Sequence, residues 1–145
     1  MKNIIEIIEK NTIPTKEETK KVIEILKKDL IKEYRLNIDI YLYDENEYIN
    51  LDNNPIEKKY RKILFNNSDG LYHEKFKNKE KDYIEIFYKN PEKKYYWYNI
   101  IAVLYHEYYH ALIFNKDRTQ KIDLDDYIYL MENEIFNNVS LIDEI

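Results

Sequence analysis

The chain predicts an α+β fold in a single domain, and three observations carry that prediction. Apolar residues recur every three to four positions over 16–35, residues 91 to about 114 are apolar nearly all round without an internal breaker, and apolar residues alternate over 37–43, with 83–88 a second strand. The two periods do not alternate regularly; the order reads helix, strand, helix, hairpin, helix, helix, which segregates strands from helices. No internal repeat and no Pro- or Gly-rich linker interrupts the 145 residues, so residues 1–145 form one domain.

Taken in order, residues 3–10 make a short amphipathic helix or arm. Pro14 ends it, and Thr15 with Glu18 forms a Thr-x-x-Glu capping box ahead of a long helix whose stripe is Val22, Ile23, Leu26, Leu30 and Tyr34. From Asn37, Ile38, Ile40 and Leu42 alternate with Asp39, Tyr41 and Tyr43, the pattern of a half-buried strand. The acidic, Asn-rich residues 44–54 read as a loop. Pro55 opens a short helix to about Phe65, and Asn66-Asn67-Ser68-Asp69-Gly70 is a strong turn signal. Residues 71–76 and 83–88 flank a polar stretch and suggest a hairpin. Asn90-Pro91 starts a helix, with Asn as the cap and Pro at the first helical position. That helix is apolar nearly all round and belongs in the centre of the core. Residues 115–121 are a polar connector, and Asp123 caps a last helix with the stripe Leu124, Ile128, Met131, Ile135 and Ile142.

Composition narrows the chemistry. Twenty-three basic against 28 acidic residues give a net charge of −5, which argues against nucleic acid as a partner because such domains carry a basic excess to meet phosphates. With no cysteine, disulfides, Cys-ligated metals and thiol nucleophiles are excluded. With Gly70 as its one glycine, the chain has no Gly-rich phosphate loop or dinucleotide fingerprint. The sixteen tyrosines follow an AT-rich composition and carry no functional weight by themselves. No apolar run is long enough to span a bilayer, and the first ten residues, with Glu6 and Glu9 in the apolar stretch, do not read as a signal peptide. The expectation is a cytoplasmic protein without a membrane partner.

One motif carries chemistry. Residues 106–110 read His-Glu-Tyr-Tyr-His, an H-E-x-x-H sequence in the middle of a predicted helix. Two histidines four apart stand one turn above the other on one helix face, so both imidazoles reach a single metal ion, Zn²⁺ in the first instance. Glu107 points to the neighbouring side, where it holds a water and accepts its proton without being a ligand. A catalytic zinc takes three protein ligands. No histidine follows His110, and the candidates for the third ligand are Glu132 and Glu134 on the last predicted helix. Both lie about 80° from the centre of its apolar stripe, on opposite sides, so periodicity does not choose between them.

A helix bearing H-E-x-x-H followed twenty to thirty residues later by a helix with a ligating Glu resembles the gluzincin group of zinc metallopeptidases. In many gluzincins the ligating Glu is followed four residues on by an Asp or Asn that steadies a zinc-binding histidine. Glu134 with Asn138 fits that spacing, and Asn133-Glu134 resembles the Asn-Glu of thermolysin-like glutamate helices. Glu132-x-Glu134 in turn resembles the Glu-x-Glu of the ImmA/IrrE family, where the first Glu is the ligand. The motifs span residues 91–142, and the element order of the whole chain is similar to that of the minigluzincins, with a backing helix, a small mixed sheet, an active-site helix and a glutamate helix.

The resemblance implies a zincin-like fold and hydrolysis of a protein or peptide substrate. It implies Zn²⁺ on His106, His110 and Glu134, Glu107 as the base, and Asn138 as support for a ligand. It also implies an edge strand just before the active-site helix that pairs with extended substrate, here matched by residues 83–88. His73 is the one remaining histidine and the candidate donor to a developing oxyanion; Tyr108 and Tyr109 read as packing residues. A regulatory protein-binding domain on the same scaffold is the competing expectation, resting on Tyr-rich surroundings that leave the motif without a cleft.

Overall fold

The computed structural model describes residues 7, 12–52, 54, 56–74, 81–89, 91 and 96–115. Among them four helices and a three-stranded sheet form a small mixed α+β domain. Helix α1 spans Lys16–Tyr34, and Thr15 caps it as the sequence predicts: Thr15 Oγ1 accepts from the Glu18 N–H, and the Glu18 carboxylate accepts from the Thr15 N–H. Arg35 ends it in a left-handed conformation, its N–H donating to the Ile31 carbonyl. Strand β1 follows at Asp39–Tyr43.

The next stretch is not simply a loop. Helix α2, Glu45–Ile49, is started by a second capping box in which Asp44 and Glu47 bond each other's backbone N–H groups. The acidic run that reads as solvated loop is therefore also a helix start, since carboxylates favour the N-terminal end of a helix dipole. Helix α3 runs Lys58–Asn67, beginning three residues after Pro55, which lies outside the described residues. Buried Arg61 ties the incoming segment down, donating to the carbonyls of Ile49, Leu51 and Ile56. The hairpin is present as β2, Gly70–His73, antiparallel to β3, Tyr83–Phe87.

Helix α4 spans Tyr96–Phe114. Pro91 lies in a turn rather than at the first helical position, and Asn90 is outside the described residues. Asn115 is not solvated connector: it is 5% exposed and its side-chain amide donates to Asp82 and to the Ala111 carbonyl. The last predicted helix, with Asp123, Glu132, Glu134 and Asn138, lies outside the described residues, as does most of the predicted arm at 3–10; Ile7 is helical and buried in the core.

The strand order β1-β3-β2 corrects one expectation. Residues 83–87 form the central strand, parallel to β1 and antiparallel to β2, so they are not the edge. All five are buried because both faces of the sheet are covered. Ile84 and Ile86 pack with α1 and α4 in the main core. On the other face, Phe87 meets Tyr48 of α2 and Phe65 of α3 in a smaller aromatic cluster. The edge that borders α4 is β2. Within the described residues, no helix is long and apolar enough to cross a membrane.

Candidate active site

Helix α4 is rotated so that most of its circumference is buried and a narrow strip faces outwards. Trp97, Ile100, Ile101, Leu104, Tyr105, Tyr108, Ala111 and Leu112 fill the core side. Tyr108 and Tyr109 are fully buried, in keeping with packing roles. Their hydroxyls are satisfied, Tyr108 donating to the Leu36 carbonyl at 2.8 Å and Tyr109 meeting the Tyr34 hydroxyl at 3.3 Å. A buried phenol needs such a partner, so these tyrosines fix how the helix is seated as well as filling volume.

The outward strip carries His106 and His110. Their Nε2 atoms converge to 3.0 Å, with ring centroids 4.6 Å apart and planes at 81°. Two zinc–imidazole bonds of about 2.0–2.1 Å at a tetrahedral angle put the nitrogens about 3.3 Å apart, so the pair fits one metal ion with small adjustment. Partial burial, and next the neighbouring His110, push the His106 pKa down, the direction that favours the neutral ring a metal needs as a ligand. Among the described residues no third histidine or acidic side chain joins them in a metal-binding group. Glu132, Glu134 and Asn138, the residues expected to complete the centre, are outside the described residues.

Glu107 sits on the flank of the strip, 9% exposed, with its carboxylate 4.0 Å from His106 Nε2 and therefore not bonded to it. Burial raises its pKa to about 6, while His73 acts in the opposite sense. Beside it lies a cleft of about 490 Å³ bordered by Ser68, Asp69 and Gly70 on one side and Tyr98, Val103, His106 and Glu107 on the other.

Gly70 holds that cleft to its shape. A Cβ at this position would meet Val103 Cγ1 at 2.6 Å, the Glu85 carbonyl oxygen at 3.0 Å and Glu107 Cγ at 3.5 Å. The first is closer than a Cβ can come without something shifting and the second is tight against backbone, so glycine lets β2 approach α4 beside the carboxylate. Its backbone is not in the positive-φ region. The turn signal in the sequence located this glycine; the close approach was not legible, because it depends on which helix residue the strand crosses.

His73 is placed elsewhere. Its register partner is Tyr83, and it shares the sheet face opposite to the one that Gly70 and Tyr72 present to α4. There its Nε2 bonds Glu85 Oε1 at 2.5 Å and its ring stacks on Tyr83 at 4.5 Å. Sequence reading missed Glu85: the strand pattern marks it as a solvent-side residue, whereas it is 2% exposed. Neither a family model nor a curated protein nor a solved structure matches the chain.

Proposed function

We propose that the chain is a zinc-dependent metallopeptidase of zincin-like architecture. The observation that carries this reading is the convergence of His106 and His110 Nε2 at 3.0 Å beside a buried, unligated Glu107 at the wall of an open cleft. His106 and His110 are the two ligands from α4, and Glu134, with Glu132 as the alternative, is the third; Asn138 steadies a histidine. Zinc, when bound, supplies Lewis acidity that polarises a carbonyl and brings the pKa of a bound water to ~7.

The chain's own residues do the rest. Glu107 accepts the proton of the attacking water and returns it to the leaving amide nitrogen, a role that suits a carboxyl pushed towards neutrality by burial. An extended peptide would add to β2, since among the described residues 70–73, and not 83–87, form the edge strand, and Gly70 lies beside Glu107. His73, bonded to Glu85 on the other face of the sheet, is not assigned the oxyanion role. The cleft favours catalysis over a purely regulatory scaffold, whose supporting argument was the lack of one.

The test is turnover of protein and peptide substrates by the zinc-loaded chain, with Glu107→Gln as control. Loss of roughly 10²–10⁴ in kcat with zinc retained is the expected result for a general base. Turnover unchanged in that variant overturns the assignment.

A further inference from the structure

The cleft beside Glu107 does not end at the motif. Asp69 and Val103 also line a second cavity of about 190 Å³, bordered further by Asn66, Phe87, Lys89, Tyr96, Asn99 and Ile100. The two spaces therefore adjoin across Asp69 and Val103, along the N-terminal half of α4. Phe87, Tyr96 and Ile100 are buried and give the second cavity an apolar base.

Its polar lining is rich in hydrogen-bond donors. Lys89 Nζ donates to the carbonyls of Phe65 at 2.7 Å and Ser68 at 2.6 Å, at the C-terminal end of α3, where helix carbonyls attract a cation. An ammonium has three N–H groups, which leaves one. Its other neighbours are the Phe65 ring, 5.6 Å away, and Asp69 Oδ1 at 3.4 Å, well beyond the ~2.7–2.9 Å of a charge-assisted hydrogen bond. The Asp69 side chain is 69% exposed, so water competes for it, while that of Lys89 is 18% exposed and poorly screened. The exposed side-chain amides of Asn66 and Asn99 make no hydrogen bond among the described residues. Lys89 is the one cation among the described lining residues of both spaces.

Resting on the peptidase reading above, we propose that this second cavity receives an acidic side chain of the substrate next to the scissile bond, with Lys89 as the specificity-determining residue. A carboxylate entering here gives the third Lys89 N–H a close partner and takes hydrogen bonds from the two Asn amides. An apolar side chain would cover those donors without satisfying them, and a basic one would meet the ammonium. Asp69 competes with the substrate for Lys89, so it tempers the preference.

The experiment uses the zinc-loaded full chain and peptide pairs differing by Glu against Gln, or Asp against Asn, around each bond that mass spectrometry shows to be cut. The expected result is a preference of about tenfold or more in kcat/KM for the acidic member. Lys89→Met brings the ratio towards one. Because Lys89 also ties α3, two variants at exposed positions report independently: Asn99→Asp lowers the ratio, and Asp69→Asn raises it. Equal cleavage of both members, or a ratio that none of the variants moves, overturns the inference and leaves the peptidase reading standing. A second arm measures binding of the same labelled pairs to Glu107→Gln by fluorescence anisotropy. Acid-selective binding that follows the variants, with no cleavage by the wild-type chain, supports the cavity assignment and rejects the peptidase reading. Neither cleavage nor selective binding overturns both.

Discussion

Two places among the described residues bring histidine and glutamate together, and they do so in opposite ways. On the sheet face away from α4, His73 and Glu85 bond each other at 2.5 Å, with side chains 17% and 3% exposed. On α4, Glu107 stays 4.0 Å from His106, while the half-exposed His106 turns its Nε2 towards His110. In the first pair each group satisfies the other, which is the ordinary solution for a buried carboxylate. In the second, two imidazole nitrogens meet each other at 3.0 Å on an exposed helix face, with the carboxylate alongside but not bonded to them. A residue type does not mark a site; the geometry in which the groups are held does.

The widest separation between the two regions should appear on adding zinc. A ligand present at a thousand times its dissociation constant stabilises the folded state by about 4 kcal/mol, and thermal melts should show that rise for the wild-type chain. His106→Ala or His110→Ala should remove nearly all of it, and His73→Ala should leave it intact. A zinc response lost in His73→Ala would break the comparison.

His73→Ala should instead cost about 1–3 kcal/mol without metal, because it strands the buried Glu85 carboxylate, and chemical denaturation measures this directly. Gly70→Ala should cost a similar ~1–3 kcal/mol by driving β2 off α4, since the new methyl strikes Val103 and the Glu85 carbonyl oxygen. Combining it with Val103→Ala should recover part of the loss in a double-mutant cycle.

The smallest effect concerns Glu107 alone. Its folded pKa, about 6, lies above the ordinary 4.5, so the native state holds the proton longer than the unfolded chain. Its contribution to stability is therefore most favourable below pH 4.5, is lost as pH rises from 4.5 to 6, and is constant above. Metal-free Glu107→Gln should be more stable than wild type by about 1–2 kcal/mol at pH 7.5, with the gap closing near pH 4.5 in pH-dependent melts.

Local signals made much of this legible. The capping box at Thr15, the period-two stretch of β1 and the H-E-x-x-H motif each involve residues within a few positions of one another, and the structure forms α1, β1 and α4 where they indicate. The Asp44–Glu47 capping box was equally local, but lay hidden in a run of acidic residues that also suits a loop. What was not legible is long-range. Strand order depends on how β1, separated from β3 by two helices and β2, comes to lie beside it, and no local pattern in 83–87 distinguishes a central strand from an edge. The same holds for Gly70 against Val103, for His73 with Glu85, and for the cavity joining Lys89 to Asn99: each is a meeting of residues whose separate neighbourhoods say nothing of the other.

The hydroxyl contacts of Tyr108 and Tyr109 have a mechanical consequence. They lie on the hidden side of α4 and anchor to Leu36, just past the end of α1, and to Tyr34 within it. Any twist of α4 about its own long axis would have to pull two phenols out of their seats before it could swing His106 or His110 aside. The angular phase of the exposed imidazoles is thus set from behind, by groups that never touch the cleft, and an arriving ion finds both nitrogens already aimed.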